Sequence, residues 1–538
     1  MPCARGQLIR LPLDIYSGHV YGTREKGDKR LPYIQLAAEK TDVAADICVV
    51  GSGAGGAIAA SRLARPGVKV VVLESGSYVD AVEFDQKEAN MLPLLFKDGG
   101  AQLTMDFSMT VAQGRCLGGS TVINDAICFP PPEPVLEEWV EKTGVDGLSW
   151  SSLRPHVEKI WSQLGVAQVP PSQIKGHNLK LKQGCDALGI VKHAPNFRNC
   201  HDCCECGVCH LGCAYDTKRS MLVTAIPEAL KNGAEIYCDC EAWKIVFRGN
   251  RAVKIEASMI LPGGRDERLL TVTAKTFVIA AGTIASSGLL RRSRSRWKSP
   301  LGRKLPVGRG VALHPSPLVM GIFPDEVNAH EAIPMAYHCR EFSAMNNVVQ
   351  GGFMLESIFL PPMQLAAAMP SVGNELWKDM SQYRRISPIG ILIRDRPTGE
   401  VRLGFQDEAV LDYKVGPPEA ATLGKAMVKA TQILFAAGAR RVLTSHRARV
   451  ELRSAQEADV ILQHGAGNDT LWMGSAHPQG GNPMGSDPGK SVVDGDGLVH
   501  GTSNLYVCDA SVFPSAIGVN PQITVMALAD KIATRLLQ

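Results

Sequence analysis

Apolar and polar positions set out two strand-and-helix passages at opposite ends of the chain. Asp46-Ile47-Cys48-Val49-Val50 is a short apolar run, of the length and β-branched character of a buried strand, and it stops at Gly51. From Ala57 to Ala64 the apolar residues fall at Ala57, Ile58, Ala60, Leu63 and Ala64, the spacing of a helix with one packed face. Arg65-Pro66-Gly67 turns the chain, and Val68-Lys69-Val70-Val71-Val72-Leu73 forms a second strand that ends at Glu74. Together these predict a βαβ opening of about 30 residues. A later apolar run, Thr276 to Ala281, predicts a strand leading into a helix over Ser287 to Arg291. Near the C-terminus, Asn504 to Cys508 reads as one more strand of the same sheet. Asn520 as cap and Pro521 as first helical residue then open an apolar-faced helix through Ile532. The predicted class is α/β, with a Rossmann-like nucleotide domain that the chain leaves and rejoins.

Size and composition narrow this little but usefully. At 538 residues the chain exceeds one simple core, so a second domain is expected. A hydrophobic fraction of 45% with 20% charged residues is that of a soluble globular protein. The net charge of +4 is too small for this length to indicate a nucleic-acid partner. No run reaches the ~18 apolar residues of a membrane span, and Met1 to Gly22 lacks a secretory core. The expectation is a cytoplasmic protein without a transmembrane segment, compatible with peripheral membrane association.

The turn between the first strand and helix is Gly51-Ser52-Gly53-Ala54-Gly55-Gly56, a G-x-G-x-x-G sequence in the right context. Gly51 permits the tight turn, Gly53 lets backbone approach a pyrophosphate, and Gly56 lets the helix pack on the strand. The helix start offers free N–H groups to an anion, with Ala54 and Gly55 in its first turn. Glu74, at the end of the second strand, sits where a carboxylate accepts bonds from an adenosine ribose, which argues against a 2′-phosphate.

A second glycine-rich loop, Gly114-Arg115-Cys116-Leu117-Gly118-Gly119-Ser120-Thr121-Val122-Ile123-Asn124, enters another apolar segment. With the first loop, the run Thr276 to Ser287 and the C-terminal block, it resembles the glucose–methanol–choline (GMC) family of FAD-dependent oxidoreductases, in order and spacing, over roughly residues 44 to 538. The resemblance implies FAD as cofactor and a second domain for substrate built on an antiparallel sheet. It implies that Gly114, Gly118, Gly119, Ser120 and Asn124, followed by Asp125, Ala126 and Ile127, run along the flavin and pyrophosphate. It also implies that Ala242 and Trp243 pass the adenine, and that Ala281, Gly282, Asp509 and Ala510 return to the cofactor. The resemblance implies too that the last helix, through Pro521 and Thr524, points its positive end at the flavin pyrimidine.

Ser475-Ala476-His477-Pro478-Gln479-Gly480-Gly481-Asn482-Pro483-Met484-Gly485 is a loop by its Gly and Pro content. It resembles the family's H-x-x-G-T-x-x-M-G segment, with Gly481 where threonine is common. By that match His477 is expected to act as general base, since an imidazole titrates near neutrality and can take the proton of an alcohol hydroxyl. Asn520 matches the family position that bonds the substrate oxygen. The implied activity is oxidation of the CH–OH group of an alcohol, by hydride transfer to flavin N5. Lipophilic alcohols and sugars are the alternative substrates. An oxygen-using oxidase and a non-redox lyase are the alternative functions.

The unusual element is a run of cysteines. Cys203-x2-Cys206-x2-Cys209-x3-Cys213 has the spacing of a ferredoxin-type iron–sulfur site. Cys203-Cys204-x4-Cys209-x3-Cys213 resembles the three-iron site in the catalytic subunit of bacterial FAD-dependent glucose dehydrogenases. A 3Fe–4S or 4Fe–4S cluster is therefore expected, passing electrons to an external protein or quinone-like acceptor. Structural zinc, disulfides and free thiols are the competing readings. Tyr215 to Ser220 adds a basic stretch of the kind found after such a run in long-chain alcohol oxidases.

The expected organisation is an N-terminal extension over 1–43 and FAD-binding segments over 44–150, 215–310 and 446–538. Substrate-domain segments cover 151–214, with the Cys-rich loop at 199–213, and 311–445. Met320, Met335, Met345, Met354, Met363 and Met369 lie in the last of these, suited to an adaptable apolar wall though equally to ordinary core packing.

Overall fold

The computed structural model describes residues 31–32, 40–261, 264–294, 304–343 and 352–538. Most of the expected N-terminal extension, and Met345, lie outside the described residues.

The nucleotide half is a five-stranded parallel sheet. Its strands run, edge to edge, Leu505–Val507, Thr276–Ile279, Ile47–Val50, Val70–Leu73 and Glu235–Tyr237. Val49, Val72, Val278 and Val507 are all buried, as expected of a parallel sheet covered on both faces. The helix Ala54–Leu63 crosses from the first strand to the second, as its spacing predicted, and packs beside the C-terminal helix Gln522–Leu536. Gly51 turns with φ +94, a backbone conformation that only glycine adopts without strain. The strand run Asn504 to Cys508 joins this sheet at its edge, so both ends of the chain build one core.

The second half is a seven-stranded sheet that contains Leu318–Ile322, Ile386–Ile393, Phe353–Ser357 and Tyr337–Cys339, paired antiparallel, with His193–Pro195 on the edge. Helix Pro417–Ala436 covers one face and carries Leu423, Met427, Ile433 and Leu434 into a second core. This is the antiparallel substrate sheet that the family resemblance implied. Met320 and Met354 are packed core residues here.

Two local expectations need correction. The C-terminal helix begins at Gln522, and Asn520 makes no side-chain cap at its start. The Asn520 amide is turned instead toward His477 and Glu356. Residues 475–485 are also not all loop. Gln479–Gly481 is a short strand paired antiparallel with Arg309–Ala312, which holds the backbone just after His477 against the sheet.

Candidate active site

A cavity of about 1070 Å³ runs between the two halves, from the first glycine turn to the loop bearing His477. It is at the upper end of the ~300–1,000 Å³ typical of ligand pockets. At one end the two glycine-rich loops meet. A Cβ on Gly119 would lie 2.8 Å from the Cα of Gly53, so the contact requires glycine on that side. The helix Ala54–Leu63 has no side-chain cap, which leaves its first N–H groups facing the cavity for an anion. Glu74 lines the cavity and braces the turn, accepting from the Ser52 backbone N–H at 2.9 Å, the Ser52 hydroxyl at 2.6 Å and the Gly76 N–H at 2.8 Å. Burial raises its pKa, opposed by those hydrogen bonds. Asp509 holds the third crossing, accepting from the Gly282 N–H at 2.9 Å and the Ser286 hydroxyl at 2.5 Å. Trp243 lines the same end, with the Arg292 guanidinium 3.9 Å from its ring centroid. An uncapped helix start, two abutting glycine loops and a long cavity fit a dinucleotide.

Most residues expected to contact the cofactor border this cavity. Gly51, Gly53, Ala54, Gly55, Glu74, Gly114, Gly119, Ser120, Asn124, Asp125 and Ile127 do so, as do Ala242, Trp243, Ala281, Gly282, Asp509, Ala510 and Pro521. Four expected contacts lie behind it instead. Gly56 packs under the turn, where a Cβ would meet the Gly51 carbonyl oxygen at 1.9 Å. The Gly118 N–H donates to the Ser52 hydroxyl at 2.9 Å and so ties the two loops together. Ala126 is fully buried at φ +63, its N–H donating to the Asn124 side chain at 3.1 Å. Thr524 is buried inside the C-terminal helix.

At the other end His477 and Asn520 face each other, with His477 Nε2 3.5 Å from Asn520 Nδ2. The His477 ring is enclosed by protein on all but its cavity side, and that burial lowers its pKa to about 4. It is therefore neutral at physiological pH. Three groups absent from the sequence reading complete this end. His314, at φ +51 and buried, places Nδ1 3.3 Å from Nδ1 of His477. Asp395 fixes the turn that presents it, accepting from the Leu313 and His314 N–H groups at 2.8 and 2.9 Å. Glu356, on strand Phe353–Ser357, meets the Asn520 amide inside the cavity wall. Burial pushes its carboxyl up to about 8, opposed by Asn520 and reinforced by Asp125. Glu356 Oε1 and Asn520 Oδ1 have no hydrogen-bond partner among the described residues. Glu356 was hidden in Phe353-Met354-Leu355-Glu356-Ser357, where a single acid in a five-residue buried strand was the only signal.

The cysteine run takes a form the spacing did not foretell. The buried guanidinium of Arg198 lies among the thiols, with Nη2 3.2 Å from Cys209 Sγ and Nη1 3.8 Å from Cys203 Sγ. Cys204 is exposed, Cys206 Sγ takes a contact from Gln86 at 3.7 Å, and Cys213 Sγ lies 3.4 Å from the Thr217 hydroxyl. Cys203 and Cys209 thus share the Arg198 guanidinium, while Cys206 and Cys213 face other side chains. Among the described residues no three His, Cys, Asp or Glu side chains converge to hold a metal ion. The iron–sulfur expectation for Cys203, Cys204, Cys206, Cys209 and Cys213 finds no support in this arrangement. The run instead delivers His210 to the cavity, with Nδ1 3.6 Å from Asp125 Oδ1. No described helix is long and apolar enough to cross a membrane.

Comparison with known proteins agrees with this architecture. Models described as GMC oxidoreductase match residues 92–316 and 395–529, and an NAD(P)-binding Rossmann-like model matches residues 49–86. An uncharacterised GMC-type oxidoreductase of Mycobacterium tuberculosis is 33% identical, over 94% of this chain and 78% of that protein. A long-chain-alcohol oxidase of Arabidopsis thaliana, FAO3, is 31% identical over 91% of this chain and 67% of its own length. Among solved structures, pyridoxine 4-oxidase from Mesorbium loti superposes with a TM-score of 0.66 at 17% identity, covering 91% of this chain and 99% of that one. Formate oxidase of Aspergillus oryzae superposes with a TM-score of 0.66 at 15% identity, covering 92% of this chain and 98% of that one. The chain belongs to the GMC oxidoreductase family of FAD-dependent oxidoreductases.

Proposed function

We propose that this protein oxidises the CH–OH group of a lipophilic alcohol. The reading rests on one observation: His477 and Asn520 meet 3.5 Å apart on the wall of a cavity that begins at the dinucleotide turn. FAD, when bound, supplies a two-electron hydride acceptor at N5. The chain's residues do the rest. The first glycine turn and the Asp509 crossing hold the cofactor, and the His477–Asn520 pair holds the alcohol oxygen. Leu318, Met335, Ile358, Leu360 and Leu392 give the cavity an apolar wall suited to a hydrocarbon chain. Relatives named long-chain-alcohol oxidases support the same substrate class over a sugar.

For the acceptor, relatives named oxidases favour an oxygen-using oxidase over relay through a cluster to an outside partner.

The test is anaerobic mixing of the flavin-loaded enzyme with a panel of alcohols of increasing chain length, then admission of oxygen. Bleaching of the flavin band by long-chain alcohols, with reoxidation and peroxide on aeration, is expected. A flavin that no alcohol bleaches overturns the proposal and leaves the lyase reading. Bleaching reversed by a dye but not by oxygen overturns the acceptor half alone.

A further inference from the structure

Four buried polar atoms on the cavity wall have no hydrogen-bond partner among the described residues. They are Asp125 Oδ1, His210 Nε2, Glu356 Oε1 and Asn520 Oδ1, and all four residues border the cavity. Glu356, His210 and Asn520 are only 5%, 7% and 8% exposed. The four come from separate parts of the chain: the second glycine-rich loop, the turn Cys209–Leu211, strand Phe353–Ser357 and the approach to the C-terminal helix. Other acids on the same cavity are matched. Glu74 and Asp509 each accept several hydrogen bonds from the chain. A polar atom buried without a partner is costly, so such atoms are normally met by one. His210 Nδ1 lies 3.6 Å from Asp125 Oδ1, and Asp125 acts electrostatically on Glu356, so these three form one group. Asn520 joins that group to the reacting end. Its amide meets Glu356 and its Nδ2 faces His477, while its Oδ1 is left unmatched. The unmatched atoms therefore stand one side chain away from the place where the alcohol oxygen is held.

We propose that Asp125, His210, Glu356 and Asn520 form a subsite for a second hydroxyl group of the substrate, one or two carbons from the reacting carbinol. The proposal rests on the reading above, that His477 and Asn520 hold an alcohol oxygen, and it narrows the substrate to a lipophilic diol. The hydrocarbon of a simple long-chain alcohol leaves all four atoms unmatched. A hydroxyl both donates and accepts, which suits acceptor oxygens grouped with a neutral carboxyl. Burial keeps Glu356 in that neutral form near pH 7. An ammonium group only donates, and so offers nothing to the hydrogen of that carboxyl. A site built to bond a substrate hydroxyl rejects the analogue that lacks it, because its own buried groups then go unpaired. Met335, Ile358 and Leu360 line the same cavity and suit the rest of the chain.

Paired compounds of one chain length test this on the flavin-loaded enzyme. They are octan-1-ol, octane-1,2-diol, octane-1,3-diol and 2-methoxyoctan-1-ol, whose ether oxygen cannot donate. Binding is measured by calorimetry after anaerobic reduction of the flavin with dithionite, so that no hydride can be taken. Flavin reduction by the same compounds is followed by rapid anaerobic mixing of the oxidised enzyme. One of the diols is expected to exceed octan-1-ol and the ether by ~10-fold or more in both measurements. Glu356→Leu is expected to bring that ratio close to one, and Glu356→Gln, which still donates and accepts, to keep most of it. Equal binding of the diols and octan-1-ol overturns the proposal, since flavin or water then meets these atoms. Tighter binding of 2-aminooctan-1-ol than of either diol overturns it too, as does a diol preference that survives Glu356→Leu. Should Glu356→Leu fail to fold, the wild-type comparison decides. If no compound bleaches the flavin but a diol still binds better to the reduced enzyme, the oxidation reading falls and the subsite stands.

Discussion

Lys218 Nζ donates to the Asn124 carbonyl at 2.7 Å, tying the segment after the cysteine run to the loop that lines the cofactor cavity. The same nitrogen reaches the carbonyls of Val122 at 2.6 Å and Cys209 at 2.7 Å, and the side chain is buried. Arg198 adds a parallel tie, its Nε donating to the Asp125 carbonyl at 3.0 Å. Two long cationic side chains thus clamp residues 122–125 from behind. The Cys-rich run is tied to the same two cations, through the Cys209 carbonyl on Lys218 and the Cys203 and Cys209 thiols on Arg198, and so buttresses the cavity wall.

Replacing Lys218 by Met keeps most of the stem volume and removes all three hydrogen bonds. Three buried carbonyls lose their donor, at roughly 1–3 kcal/mol for each group left unsatisfied. Lys218→Met is therefore expected to destabilise the protein by about 3 kcal/mol or more and to lower FAD retention on gel filtration. Unchanged denaturant midpoint and unchanged flavin content would show that the clamp does not matter.

The parts of this architecture legible in the sequence were those specified by near neighbours. Gly51, Gly53 and Gly56 with the flanking valines give one strand, turn and helix, because each residue's task concerns its own turn. His477 was found by a motif match over a few residues. What escaped notice is joined across the fold. His314 reaches His477 from 163 positions away. Lys218 reaches Asn124 from 94 positions away. Neither residue type at either place is unusual in its local window. Asn520 departs from its local signal for a related reason: Asn-Pro before an apolar run favours a cap, yet the cavity offers its amide His477 and Glu356, and these tertiary partners prevail. The cysteine spacing suggested a cluster, but spacing does not reveal that Arg198 will be buried among the thiols.

His477→Ala is expected to keep FAD, since the cradle lies at the opposite end of the cavity, and to slow flavin reduction by ~10²–10³. Asn520→Ala removes the second group on the oxygen and is expected to act in the same direction. Rapid anaerobic mixing measures both. Reduction within a few-fold of wild type in the His477 variant would dismiss the residue from the chemistry.

Iron and acid-labile sulfide in anaerobically purified protein are expected below one cluster per chain, because among the described residues no three His, Cys, Asp or Glu side chains converge to hold a metal ion. Stoichiometric iron with sulfide would mean that the Cys-rich run rearranges around the metal, and the relay to an outside acceptor would return as the leading account.

The pH dependence turns on Glu356, whose carboxyl is raised by burial from 4.5 to about 8. Below about 8 it is neutral, and above it carries a negative charge beside the Asn520 amide, where the substrate oxygen also becomes negative. Asp125 is the charged group that acts on it from the adjoining loop. Flavin reduction should therefore be level near neutrality and fall as the pH rises through about 8, a limb that Glu356→Gln should abolish. Stability gives an independent check, with the sign set by where protons bind. An unfolded Glu356 ionises near 4.5, while the folded one keeps its proton until about 8. Between those values the unfolded state binds fewer protons, so the contribution of Glu356 to stability is lost as the pH climbs, by about 1.4 kcal/mol per unit at most, and levels off above. Glu356→Gln lacks this loss, so its stability relative to wild type should grow from pH 5 to pH 8. A denaturation series at those two pH values decides it: a constant difference, together with an unmoved alkaline limb, would mean that Glu356 is ionised in the folded protein throughout this range.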